Sequence, residues 1–181
     1  MYGLVNRAIK DCILDGFGDE VWARVEKRSQ TDASHYVSMT PYPDEVTLSI
    51  IGAACEELGT DAGTLLRTFG RFWVLNTANL EYGDLMALGG ADLKTFLINL
   101  DQMHEQVAIT FQNLRQPSFT LEETADQYLL HYRSERDGLS EFVVGLLQGL
   151  SEHFQEPLNV EQVQSKAGGD DHDVFRLDFS T

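Results

Sequence analysis

The sequence predicts an α+β chain: a helical N-terminal two-thirds, then a C-terminal four-stranded antiparallel sheet with one helix inserted in it. Two changes of rhythm predict this. Before Pro117 apolar residues recur at three-four spacing. After it the period drops to two, apart from one return to helical spacing near residues 139–154. Glycines and prolines fall at the joints between these runs, where turns need them.

Leu4, Val5, Ala8, Ile9, Cys12 and Ile13 define a first helix, which the Gly16–Gly18 stretch ends. A short second helix carries Val21, Trp22 and Val25. The prolines of Pro41–Asp44 open a third, with Val46, Ile50, Ala54 and Leu58 on one face and Gly59 as its stop. Thr60 or Asp61 caps a fourth, bearing Leu65, Leu66, Phe69, Phe72 and Trp73. A weaker helix spans about Tyr82–Leu88 before Gly89–Gly90. The strongest helix runs from Ala91 to Phe111, with Leu93, Phe96, Leu97, Leu100, His104, Val107 and Phe111 in line. Ser118–Glu122 and Tyr128–Arg136 read as strands, followed by a helix with Leu139, Phe142, Val143, Leu146, Leu147, Leu150 and Phe154. Leu158–Gln164 and Val174–Phe179 form a closing hairpin around the turn Ala167–Asp171.

With 181 residues and no linker or internal repeat, the expectation is a single domain over 1–181. A net charge of −16 repels polyphosphate, so neither nucleic acid nor an anionic membrane surface is an expected partner. Arg7, Lys10 and Asp11 interrupt the N-terminal apolar run, so it is no signal peptide. No apolar stretch reaches the ~20 residues of a membrane span. A cytoplasmic protein is expected, with Cys12 and Cys55 as free thiols. No phosphate loop or GxSxG elbow occurs, and His104-Glu105 fails the zinc-protease pattern because Ala108 stands where its second histidine belongs. The acidic turn Asp170, Asp171, His172, Asp173 offers at most a weak cation site.

Two features remain. His104 lies on the apolar stripe of its helix and so faces the core. There it is either a structural histidine bonded to a carbonyl or a neutral imidazole presented into an apolar cavity, which is what an axial ligand to a haem iron requires. In Tyr132-x-Ser134-x-Arg136, a strand period of two places two hydroxyls and a guanidinium on one face, a donor set suited to a pair of carboxylates. The two features are complementary: one can bind iron, and the other can neutralise two haem propionates.

The sequence resembles the haem nitric oxide/oxygen-binding (H-NOX) domain, related to the haem domain of soluble guanylate cyclase. The resemblance rests on Met1-Tyr2-Gly3-Leu4-Val5-Asn6, Leu100-Asp101-x-x-His104, Pro117, the Tyr132–Ser134–Arg136 triplet and Gly145-Leu146-x-x-Gly149. It implies a bacterial stand-alone sensor rather than a piece of a longer enzyme, since 181 residues leave no room for an output domain, and no enzymatic activity is expected. His104 would be the proximal iron ligand; Tyr132, Ser134 and Arg136 would hold the propionates, and Pro117 would press on the porphyrin. Without a CxxCH motif the haem is expected to be non-covalent haem b. Val5, Trp73, Phe142 and Leu146 would line the distal pocket. The helix after the triplet lacks the tyrosine that oxygen-binding members place there. Counting back from Gly145 puts Phe142 at that place; counting forward from Arg136 puts Glu141, which falls off the apolar face. NO and CO are therefore the expected ligands. A separately encoded histidine kinase or diguanylate cyclase is the expected signalling partner by analogy.

Two other readings stay open. One is a cofactor-free domain for an apolar ligand or a protein partner. The other is a hydrolase using His131 or His104 with Ser134, disfavoured because His131 and Ser134 fall on opposite faces of a strand.

Overall fold

The computed structural model describes residues 1–32, 35–110, 115–125 and 127–179. Its helices are α1 (Gly3–Phe17), α2 (Asp19–Ser29), α3 (Asp44–Leu58), α4 (Ala62–Phe72), α5 (Asn79–Gly89), α6 (Leu93–Thr110) and α7 (Ser140–Phe154). The strands are β1 (Ser118–Glu123), β2 (Tyr128–Arg133), β3 (Asn159–Gln164) and β4 (Asp173–Asp178), paired antiparallel in the order β1-β2-β4-β3 with α7 inserted between β2 and β3. This is the α+β arrangement that the change of period predicts. Phe111, the last residue of the expected long helix, lies outside the described residues.

Local chemistry sets the element ends. Asp61 is the N-cap of α4, its carboxylate accepting from the Thr64 N–H at 2.9 Å. Gly59 closes α3 at φ 63°, a left-handed turn that glycine takes without steric cost. Between α4 and α5 the chain does not stay α-helical: Trp73–Ala78 is a π-helical turn, and α5 kinks at Tyr82. Sequence periodicity does not register this, because one widened turn only rotates the side chains beyond it.

The apolar interior divides into two clusters. One gathers α1–α4 around Ile13, Val25, Ile50 and Phe69; the other gathers the sheet, α6 and α7 around Leu97, Leu130, Leu147 and Phe175. Trp73 packs against both. The two are drawn together where α4 crosses α7. A Cβ built on Gly145 would stand 2.1 Å from the Arg67 carbonyl oxygen, and one on Gly70 would stand 2.3 Å from the Phe142 carbonyl oxygen. Backbones this close admit no side chain. Arg67–Glu141 and Arg71–Glu152 pairs flank the crossing on the surface. Among the described residues, no helix is long and apolar enough to cross a membrane. Cys12 and Cys55 are free, as expected.

Candidate functional site

A cavity of about 330 Å³ opens between the two clusters, within the size range of small-molecule and cofactor sites. Its wall is dominated by apolar side chains and includes His104, Pro117, Tyr132, Ser134, Arg136, Val5, Trp73, Phe142 and Leu146. Every residue singled out from the sequence for iron, propionate, porphyrin or distal contact therefore comes to one cavity.

His104 arrives on α6, whose other apolar residues Leu93, Phe96, Leu97 and Leu100 are buried in the sheet-side cluster. Its ring stacks on Phe119 with centroids 5.6 Å apart and planes at 29°. Among the described residues the Nδ1 atom, sealed from solvent, has no hydrogen-bond partner, which does not support the reading of a structural histidine bonded to a carbonyl. Burial pushes its pKa below the ordinary 6.5, because an imidazolium here loses its hydration; the Asp101 charge opposes this and is outweighed. The imidazole is thus neutral, the form in which histidine ligates a metal.

That shift has a consequence for stability. The unfolded chain takes up a proton at His104 near pH 6.5, and the folded chain does so only at lower pH. The stabilisation is complete above 6.5 and is lost as the pH falls towards the depressed folded value. An NMR titration of the His104 ring should give a midpoint below 6.5; a midpoint at or above it would contradict this account of the site.

Asp101, one turn before His104, fastens the next segment to α6. Its carboxylate accepts from Ser118 Oγ at 2.9 Å and from the Phe119 N–H at 2.6 Å. Pro117 is thereby fixed beside the helix that carries the imidazole.

The carboxylate-binding group differs from expectation in one respect. The strand does not run to Arg136: β2 pairs only to Arg133, opposite Ser118, and stops because the residue before Ser118 is a proline without an N–H to continue the ladder. Ser134 and Arg136 reach the cavity from the following turn, where Ser134 Oγ accepts from the Arg136 N–H at 3.0 Å. Tyr132, 4% exposed, remains on the strand; burial raises its phenol pKa, and the neighbouring Ser134 side chain opposes that rise. The turn thus brings Ser134 and Arg136 to the same cavity wall as Tyr132.

One member of the donor group, Arg136, already holds a carboxylate. Arg136 Nε donates to Asp44 Oδ2 at 2.9 Å, and Nη1 donates to the Arg115 carbonyl at 3.0 Å. The N-terminal ammonium of Met1 donates to the same Asp44 carboxylate and to the Tyr42 carbonyl at 2.8 Å. The Arg136 hydrogen bond, then that of the N-terminus, holds the Asp44 pKa below its usual range. Sequence reasoning missed Met1 and Asp44, because nothing local marks a contact between residues 92 positions apart. It also missed Gln116 and Tyr82 on the cavity wall.

On the α7 side, Phe142 faces the cavity and stacks on Phe69 at 5.2 Å, while Glu141 turns outwards to Arg67. Phe142, not Glu141, thus takes the apolar place. The hydrolase pairing finds no support. Both ring nitrogens of His131 are engaged, with Glu122 at 2.9 Å and His172 at 2.8 Å, rather than with Ser134. Among the described residues no group of three or more His, Cys, Asp or Glu could hold a metal ion, the turn Asp170–Asp173 included.

A neutral, unpartnered imidazole and a carboxylate-binding cluster on one apolar cavity fit the donor set a haem needs: one nitrogen for iron, and donors for two propionates. A protein-family model described as haem-NO-binding matches residues 2–162. The chain is 31% identical over 171 residues to soluble guanylate cyclase gcy-33 of Caenorhabditis elegans, covering 93% of this chain and 18% of that protein. It is 30% identical over 118 residues to the guanylate cyclase soluble subunit beta-2 of Rattus norvegicus, covering 61% of this chain and 17% of that one. It spans no more than about a quarter of the length of the curated relatives it matches. In fold it matches the crystal structure of an H-NOX protein from S. oneidensis in the Fe(II)NO ligation state, with a TM-score of 0.89 over the whole of both chains at 21% identity.

Proposed function

This chain belongs to the haem-NO-binding family, and from that premise we propose that residues 1–181 form one sensor domain that binds haem b non-covalently, takes NO and CO as gaseous ligands, and signals to a partner protein through α6. The observation that carries this reading is His104: neutral by burial, its Nδ1 without a hydrogen-bond partner among the described residues, and set on the same cavity as Arg136, which already binds a carboxylate.

Haem, when bound, supplies a ferrous iron with one open position for a diatomic ligand. His104 would hold that iron from α6. Tyr132, Ser134 and Arg136 would receive the propionates, the guanidinium offering a planar fork suited to carboxylates. Pro117, fixed to α6 through Asp101 and its neighbours, would bear on the porphyrin face. Val5, Trp73, Phe142 and Leu146 would exclude water from the distal side. Release of His104 would let α6 and the segment fastened to it relax together, giving a two-state element that a partner can read. That partner is, by family analogy, a histidine kinase or a diguanylate cyclase, and the setting is the cytoplasm.

In this reading gas selectivity turns on Phe142 rather than on Trp73 or Tyr82, the cavity-wall residues that carry an N–H and an O–H. Bound oxygen carries partial negative charge and gains from a hydrogen-bond donor, whereas NO binds ferrous haem without one. A phenyl ring at this place offers no donor. Reduced protein exposed to air should therefore form no lasting oxygen complex, while NO and CO each shift its Soret band. A stable oxygenated spectrum would overturn the selectivity.

A further inference from the structure

Away from the cavity, four titratable side chains stand in one line. Glu122 of β1 meets His131 of β2, its Oε2 lying 2.9 Å from Nε2. His131 Nδ1 lies 2.8 Å from Nε2 of His172, whose Nδ1 lies 2.9 Å from Asp171 Oδ2. The ring centroids are 5.1 Å apart, longer than the N···N contact by about one ring diameter, so the two nitrogens face each other head on. Both rings are sheltered, 19% and 13% exposed, while the two carboxylates reach into solvent.

The line can hold only certain numbers of protons. Ionised carboxylates only accept, so each outer contact needs an N–H from its ring, and the inner contact needs one more. Two neutral imidazoles carry two protons and satisfy two of the three contacts. A third proton makes one ring an imidazolium and satisfies all three. A fourth puts an N–H on both facing nitrogens, and the inner contact becomes repulsive. The hydrogen bond between the rings can form with two protons or three, never with four.

That bond fastens the turn between β3 and β4. His172 stands at one end of the turn. At the other, Lys166 Nζ donates to the Ser134 carbonyl at 3.0 Å and pairs with Asp137 at 2.7 Å. The turn is thus tied to β2 on one side and, on the other, to the segment that brings Ser134 and Arg136 to the cavity wall. By strand alternation, the other charges on the sheet face of His131 are Arg133 of β2 and the Arg176–Glu161 pair of β4 and β3; Asp170 lies in the turn. Asp173 belongs to the opposite face, where its Oδ1 accepts from the Lys166 N–H at 2.9 Å.

We propose that His131 and His172 form an acid-sensitive latch: one proton bridges the facing nitrogens and fastens the β3–β4 turn, and charging both rings releases it. Glu122 and Asp171 each favour charge on the ring they touch, and so set how readily the latch opens. The latch makes no use of haem.

The test uses the full 15N-labelled chain, bound to CO where it carries haem so that the sample is diamagnetic. A 15N–15N coupling across the hydrogen bond, between His131 Nδ1 and His172 Nε2, should be present near neutral pH and vanish as acid charges both rings. Over the same interval amide exchange at Lys166 and Asp170, corrected for its intrinsic pH dependence, should quicken about 10-fold or more, as expected for the loss of one charge-assisted hydrogen bond. In His172→Phe exchange at these amides should be fast throughout, with no step. Glu122→Gln, which leaves an acceptor without the charge, should move the step to lower pH. Absence of the coupling at every pH would overturn the latch. So would a step of unchanged size and midpoint in His172→Phe, which would belong to Asp170 or Asp173 instead. If His172→Phe does not fold, the wild-type coupling decides alone.

Discussion

His104→Gly loses haem affinity by about 100-fold or more, since changes one shell further out already cost 10–100-fold, and imidazole in solution returns the colour without the response. The glycine leaves the rest of the cavity wall in place, Tyr132, Ser134 and Arg136 included. Free imidazole could occupy the vacated position, but nothing would then join a bound haem iron to α6. Amide hydrogen exchange along α6 and the 115–119 segment provides the readout. In the wild type, NO should change exchange in both, because Asp101 binds them into one unit. In the imidazole-rescued variant it should change in neither. A rescued variant with wild-type NO-dependent exchange would show that the signal does not travel through the His104 tether.

Gly145→Ala is the second large effect, and it acts on the scaffold. The added methyl would meet the Arg67 carbonyl oxygen at 2.1 Å, a backbone atom that no rotamer change can move aside. Overpacking of this kind costs about 1–3 kcal/mol and occasionally more; the backbone clash places this case at about 3 kcal/mol or above. For a chain of this size that is a fall in Tm of about 6–12 °C. The helices must separate, and Phe142 and Leu146, which α7 carries to the cavity, move with it. A thermal melt within 2 °C of wild type would contradict the tight crossing. The same crossing explains the Gly145-Leu146-x-x-Gly149 motif in physical terms. Gly149 too faces α4, where a Cβ would meet the Arg71 carbonyl oxygen at 3.0 Å, while Leu146 between them lines the cavity.

Local period made the architecture and most of the cavity wall legible. A 3.6-residue repeat carries His104 inward with Leu97 and Leu100, and nothing distant has to be known to see it. Tyr132 was legible for the same reason with a period of two. Ser134 and Arg136 were found by type but assigned the wrong backbone, since alternation along one strand does not reveal where its neighbour's ladder ends; Pro117 on the facing segment decided that. The π-helical turn at Trp73–Ala78 was not legible, because it changes hydrogen-bond register without changing composition. Nor were the Met1–Asp44–Arg136 contacts, in which three distant parts of the chain meet through charge alone.

The central claim is that His104 would hold a haem iron in this cavity and that bound NO would release it. The absorption spectrum of the reduced protein, recorded before and after NO is added, tests it most directly. The account predicts a five-coordinate ferrous spectrum that converts to that of a five-coordinate nitrosyl haem, its histidine bond lost. A colourless protein, or a six-coordinate spectrum that persists with NO, would contradict it.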